Sequence, residues 1–339
     1  MNSGDDGLTV AVTGPTGDVG RAAVRALEAR PEVGRIVGMA RRPFDPAEHG
    51  WTRTEYRRGD ILDRRSVEDL VEGADVVVHL AFIIFGDHEQ AHRVNLEGSR
   101  NVFEAVATAG ARRLVYTSSV AAYGFEGDRG WLTEEMPASG SDRFYYSAHK
   151  AELESVLAES LAGSPTRAYV LRPSIVAGPD APTLVTAMTT GNRLTAAMAP
   201  LRKGLERLPL VRPVLPDTGV PFQLVHHDDV AAAIAAAVAG EGEPGVYNLA
   251  APDELTTADL ARELGWATIP VPKVAISAVA AAIERAPLTP AFAEWINAFR
   301  VPVLMDSSKA ARALGLVEWR PGAETLAETI DAARGQGLI

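Results

Sequence analysis

Leu8 to Thr13 is a short apolar, β-branched run, and it leads through Gly14-Pro15-Thr16-Gly17-Asp18-Val19-Gly20 directly into Val19 to Arg30, which has helical spacing. A strand that turns through glycines into a helix fits few folds. The glycines allow a tight turn and close packing of helix on strand, and the helix N-terminus offers N–H donors to a pyrophosphate. Strand signals recur at Arg35 to Ala40, Arg53 to Arg58, Asp75 to Leu80, Arg112 to Thr117 and Thr166 to Leu171. Helical patterns lie between them at Asp63 to Val71, Glu89 to Ala109 and Arg143 to Leu161. This alternation predicts a Rossmann-type, doubly wound α/β domain around a parallel sheet covered on both faces.

After Pro173 the rhythm changes. Pro179 to Pro221 is proline-rich and has no strand period, and Thr256 to Ile339 is mostly helical with Pro270, Pro272, Pro287, Pro290 and Pro302 interspersed. Between them Phe222 to His226 and Gly245 to Leu249 read as strands, flanking an alanine-rich helix from Val230 to Ala239. The expected organisation is a dinucleotide-binding domain over 8–175, to which 222–250 returns. A smaller, mostly helical substrate lobe is expected from 176–221 and 251–339.

A net charge of −11 disfavours nucleic acid and anionic lipid as partners, which leaves small molecules. With no cysteine, disulfides and thiolate metal sites are excluded, and a cytoplasmic location is expected. The polar, acidic start Met1 to Gly7 lacks the features of a secretory signal. No apolar run approaches the ~20 residues needed to cross a bilayer.

Three places carry chemistry. The second strand ends Met39-Ala40-Arg41-Arg42 with no acid before Asp45, a pattern that favours NADP(H) with Arg41 and Arg42 on the 2′-phosphate; NAD(H) stays open. Tyr146 and Lys150 lie one turn apart on one helix face, where an ammonium is expected to lower the phenol's pKa for proton transfer. With 7 tyrosines in the chain and 4 lysines (Lys150, Lys203, Lys273, Lys309), about 0.08 such pairs arise by chance. Tyr145 is out of phase and faces His149. The fifth strand ends at Ser118-Ser119, hydroxyls at the carboxyl edge of a parallel sheet where ligands bind.

Together these segments resemble the extended short-chain dehydrogenases/reductases of the NAD(P)-dependent epimerase/dehydratase type. The resemblance also rests on Gly59-Asp60-Ile61, His79-Leu80-Ala81, Asn95 to Gly98 with Asn101, Leu171-Arg172-Pro173, His226-His227-Asp228-Asp229 and Asp306 to Lys309, in family order from about residue 8 to 330. It implies that Tyr146 is the acid/base, that Lys150 holds the nicotinamide ribose, that Ser119 bonds the reacting oxygen and that Asn95 supports the site. Cofactor contacts are implied for Gly14, Thr16, Gly17, Asp18, Val19, Gly20, Arg41, Arg42, Asp60, Ile61, Leu80, Ala81, Tyr146, Lys150 and Pro173. Asp is expected to cap the helix after His226-His227, so no metal is expected there. The family also implies a homodimer through the helices carrying Asn95 and Tyr146.

Departures from the family narrow the reaction. Val120-Ala121 stands where sugar-nucleotide dehydratases carry Asp-Glu, and Ile175 where sugar-nucleotide epimerases tend to carry Asn. Phe82, Ile83, Ser118, Ser119, Ser174 and Ile175 are expected to line a mainly apolar substrate pocket. The expected activity is NADP(H)-dependent interconversion of a ketone or aldehyde and an alcohol. The alternatives are an NAD-dependent nucleotide-sugar epimerase and a non-catalytic dinucleotide-sensing regulator, the latter opposed by the intact Ser119, Tyr146 and Lys150.

Overall fold

A computed structural model describes residues 7–84, 87–127, 130–142, 144–182, 214–271 and 301–339. Most of the proline-rich segment, with Arg193, Arg202, Lys203, Arg207 and Arg212, lies outside the described residues. Seven strands pair in parallel: β1 (Leu8–Thr13), β2 (Val33–Ala40), β3 (Thr54–Arg58), β4 (Val76–His79), β5 (Arg113–Thr117), β7 (Arg167–Pro173) and β11 (Gly245–Leu249). Their spatial order is β3-β2-β1-β4-β5-β7-β11. The chain therefore leaves β1 toward one edge and returns to β1's other side as β4. That reversal opens a crevice at the carboxyl ends of β1 and β4.

Alternation along β1 shows why the strands read as continuous apolar runs. Val10 and Val12 face one fully buried cluster with Ala23, Val24 and Leu27 of α1 (Asp18–Glu28), while Ala11 faces another with Leu70 of α2 (Arg64–Val71) and Phe103. The first cluster is completed by Ile234 and Val238 of α6 (His227–Ala239), and the second by Leu153 and Leu157 of α5 (Tyr145–Ser160). Burying both faces makes the strand edges near the crevice rigid.

The expected helix from Glu89 to Ala109 forms without a break, as α3 (His88–His92), a π-helical turn over Arg93–Gly98 and α4 (Ser99–Ala109). The wider turn carries Asn95, and its amide bonds the Ile83 backbone twice, so a tertiary contact overrides simple helical phase.

A smaller core joins Ala177, Phe222, Leu224, Leu255, Leu260, Leu326 and Ile330. It draws on β8 (Ile175–Ala177), which pairs with β10 (Leu224–His226), and on α7 (Thr257–Leu264) and α9 (Gly322–Gly335). Short parallel pairs β6–β13 (Trp131–Leu132, Leu304–Met305) and β9–β12 (Val214–Asp217, Ala267–Pro270) and helix α8 (Ser308–Ala313) complete the described elements. Among the described residues no helix is long and apolar enough to cross a membrane.

Candidate active site

The glycine loop meets the carboxyl end of β4 at the crevice. Gly14 has φ +73°, and a Cβ on it would approach Ala81 N to 2.9 Å; one on Gly20 would lie 2.1 Å from Gly14 O. Packing inside the protein requires both glycines. Gly17 is different: its φ of −76° suits any residue, and a Cβ there would meet only Gly14 O at 3.6 Å. Gly17 also N-caps α1, and as a glycine it has no side chain to accept from the first-turn N–H groups. An uncapped helix start with clear space before it fits a pyrophosphate, which explains a glycine that the protein's own packing does not need.

Around that loop, Thr13 Oγ1 lies 2.7 Å from His79 Nδ1 and accepts from the N–H groups of Leu80 and Ala81 at 3.3 Å each. His79 Nε2 reaches Ser99 Oγ at 2.9 Å, and complete burial together with nearby Lys150 lowers the imidazole to about 3, so it is neutral. Asp60 Oδ1 accepts from Leu62 N–H at 3.0 Å, and Asn101 holds the Ile61 carbonyl at 2.9 Å. Thr16, Asp18 and Val19 are half-buried in the loop and first turn. Arg41 and Arg42 follow β2, exposed and without an ion pair among the described residues.

Helix α5 presents Tyr146 and Lys150 on its buried face, 9% and 3% exposed. Ser119, whose hydroxyl accepts from Ala121 N–H at 3.1 Å and so caps the 3₁₀ turn Val120–Tyr123, also lies close enough to the Tyr146 phenol to favour its ionised form. Ser147 donates to Ala121 O at 2.6 Å and holds that turn against α5. Lys150 Nζ donates to Thr117 O at 2.9 Å and stands 3.8 Å above the Phe82 ring, which meets Tyr146 edge-on at 5.5 Å. Tyr145 donates instead to Ile84 O and packs edge-on against His149, as its phase predicts.

One expectation is reversed. Burial pushes the Tyr146 phenol up to about 12, with nearby Ser119 opposing it, while burial brings Lys150 down to about 7 against the pull of Glu154. Burial dominates at the phenol, and Tyr146 is a protonated donor at neutral pH.

Of the expected pocket residues, Ser118 turns the other way and donates to Glu154 Oε1 at 2.6 Å, because successive residues leaving a strand face opposite sides. Ser174 Oγ is buried without a partner just after Pro173 ends β7, and half-buried Ile175 packs against the smaller core. Ile83 is held by the Asn95 amide. Phe125 and Phe144, absent from the sequence-based set, join Phe82, Ile84, Tyr145 and Ala121 around Tyr146. Phe144, two residues before Tyr146, was the available signal; Phe125 reaches the site only through the fold.

The His226-His227-Asp228 cluster closes on itself. Its helix cap is His226, a correction to the expected Asp: the His226 Nδ1 accepts from Asp228 N–H at 3.1 Å. Its Nε2 lies 2.9 Å from Arg320 Nη1 and 3.2 Å from Glu328 Oε2. His227 Nε2 accepts from Asp180 N–H at 3.3 Å and its Nδ1 lies 3.0 Å from Asp228 Oδ1. That contact, then Arg25, holds the Asp228 carboxyl well below the usual range. Three of these donor atoms lie close enough to share a cation, but they hold the turn and two arginines flank them.

A parallel sheet with its glycine loop at the strand reversal, and a serine, tyrosine and lysine beside the end of β5, give the arrangement that the resemblance to short-chain dehydrogenases/reductases implied. The model of the NAD dependent epimerase/dehydratase family matches residues 10–250, and the chain belongs to that family. The sterol demethylase protein B of Methylococcus capsulatus is 34% identical over 180 residues, 51% of this chain and 52% of that protein. The 3 beta-hydroxysteroid dehydrogenase type 7 of Homo sapiens is 32% identical over 192 residues, 50% of this chain and 51% of its own. The chain thus spans about half the length of these curated relatives. The crystal structure of gox2253 superposes with a TM-score of 0.73 over 98% of this chain and 99% of that one, and at 24% identity this likeness concerns the fold alone.

Proposed function

We propose that this protein is an NADP(H)-dependent oxidoreductase that interconverts a ketone or aldehyde and an alcohol on a mainly apolar small molecule. The observation that carries this reading is the setting of Tyr146, a protonated phenol close to Ser119 and clustered with Phe82, Ile84, Phe125 and Phe144. Such a wall binds apolar rings through buried area and offers a sugar diphosphate few hydrogen bonds. The steroid-directed names of the two curated relatives support the same substrate class.

The glycine loop and the start of α1 hold the pyrophosphate, and Arg41 with Arg42 holds the 2′-phosphate. The nicotinamide, when bound, supplies or accepts the hydride. Ser119 bonds the carbonyl oxygen and orients it toward Tyr146. The Tyr146 O–H then gives its proton to that oxygen in reduction and recovers it in oxidation. Lys150 donates into the same polar strip from one turn further along α5.

Thermal shift with saturating NADPH tests the substrate class. A ring ketone present at about 100 times its Kd should stabilise the protein by about 2.7 kcal/mol. A clear shift with UDP or dTDP and none across a panel of hydrophobic ketones overturns this reading in favour of a nucleotide-sugar epimerase.

A further inference from the structure

Tyr146 and Lys150 are followed one turn later on the same face of α5 by Glu154, a largely buried carboxylate, its side chain 11% exposed, that the proton-transfer scheme does not use. Its Oε1 accepts from Ser118 at 2.6 Å and from Arg172 Nε at 2.9 Å, and its Oε2 from Arg172 Nη2 at 2.5 Å. Arg172, 3% exposed, lies 4.4 Å above the Tyr123 ring and donates to Met136 O at 3.3 Å. Ser118 is bonded through its N–H to Leu171 O at 2.7 Å, and the preceding residue, Thr117, accepts from Lys150 Nζ at 2.9 Å. One carboxylate therefore joins the helix bearing the proton donor to the ends of both strands that frame the site.

We propose that Glu154 is a positioning residue for the proton-transfer pair: one turn beyond Lys150, it locks α5 to the ends of β5 and β7 through Ser118 and Arg172. The proposal rests on the assignment of Tyr146 and Lys150 made above. The titratable and charged groups around the lysine are His79 from β4, Tyr116 from β5, Arg172 from β7, and Tyr146 and Glu154 from its own helix. His79 is neutral at physiological pH, which leaves Glu154 as the negatively charged group among these that favours the ammonium, beside the Thr117 carbonyl and the Phe82 ring. Arg172 engages that carboxylate in a bidentate pair, so changing either partner changes the field at Lys150 in opposite directions.

The chain has 4 lysines, so carbon-13 at lysine Cε gives a small set of NMR signals, with Lys150 identified by its loss in Lys150→Arg. Glu154→Gln should lower the Lys150 titration midpoint by about one pH unit, a tenfold change, because the carboxylate is lost and Arg172 is left unpaired. Arg172→Met should raise the midpoint, because Glu154 then faces the lysine alone. Ser118→Ala keeps both charges and should leave the midpoint in place while kcat on a ring ketone falls about tenfold at unchanged NADPH affinity. General structural damage does not produce opposite shifts from the two halves of one ion pair. Unmoved midpoints, or shifts of the same sign in Glu154→Gln and Arg172→Met, overturn the proposal. Should Glu154→Gln fail to fold, a raised midpoint in Arg172→Met supports it and an unchanged or lowered one overturns it. The titration needs no substrate: opposite shifts in a protein that turns over no carbonyl compound would remove the reductase assignment and leave the electrostatic link standing.

Discussion

Two strand ends in this protein bury clusters of ionisable side chains, and they differ in how many hydrogen-bonding positions remain open. At the end of β10, His226 accepts from the α6 backbone and faces Arg320 and Glu328, His227 Nε2 accepts from Asp180 N–H, and Asp228 pairs with Arg25, while His227 Nδ1 is buried 3.0 Å from Asp228 Oδ1 without a hydrogen bond. At the end of β5, Lys150 has one hydrogen bond from its three donors among the described residues, and the hydroxyls of Thr117 and Ser174 are buried without partners. A cluster that holds a turn together uses up most of its donors and acceptors. One that receives a ligand keeps some in reserve, since a buried polar group without a partner is costly and persists where binding supplies one.

The sharpest test of this contrast is Tyr146→Phe, which should keep the fold and NADPH affinity while turnover falls ~10²–10⁴-fold. Tyr145→Phe, on the neighbouring phase of the same helix, should lose less than about tenfold, because its hydroxyl serves the Ile84 carbonyl. Steady-state kinetics and cofactor titration on both variants decide the matter, and an inverted ranking would reassign the active face of α5.

Arg41 extends the comparison to an exposed cation with no ion pair among the described residues. Arg41→Ala should weaken NADPH by roughly 1.5–3 kcal/mol and leave NADH almost unchanged. Equal losses for the two cofactors, or tighter NADH binding by the unaltered protein, would break the assignment of the 2′-phosphate.

The closed cluster should answer in stability instead. His226→Ala removes the α6 cap and should cost about 1–2 kcal/mol in urea unfolding, with turnover per folded molecule retained. Burial lowers His226 to about 4 from 6.5. Between those values the unfolded chain binds more protons than the native one, so stability falls as the pH drops from 6.5 toward 4. The variant should show a shallower fall across that window. A loss of turnover larger than the loss of folded protein would put this cluster in the active site after all.

Much of the molecule was legible because local signals are periodic. The strand and helix alternation before Pro173 matches the elements that form the main sheet, and Tyr-x-x-x-Lys puts Tyr146 and Lys150 on one helix face whatever surrounds them. The π turn at Asn95 was hidden, since its cause is a bond to Ile83, a residue on a different segment. The cap at His226 was hidden for a related reason: an imidazole accepts from a helix N–H only when neighbouring groups hold it neutral and correctly turned.

Composition and spacing by themselves determined the class of fold, the place of the glycine loop at the first strand-to-helix turn, and which of two adjacent tyrosines shares a face with a lysine. These follow from backbone geometry, which repeats every few residues and needs no distant partner. Tertiary structure alone decided that Ser119 meets Tyr146 while Ser118 turns to Glu154, that Glu154 pairs with Arg172 on another strand, and that Tyr146 keeps its proton at neutral pH. Those outcomes depend on burial and on the charges brought near from separate elements, and no local period encodes either.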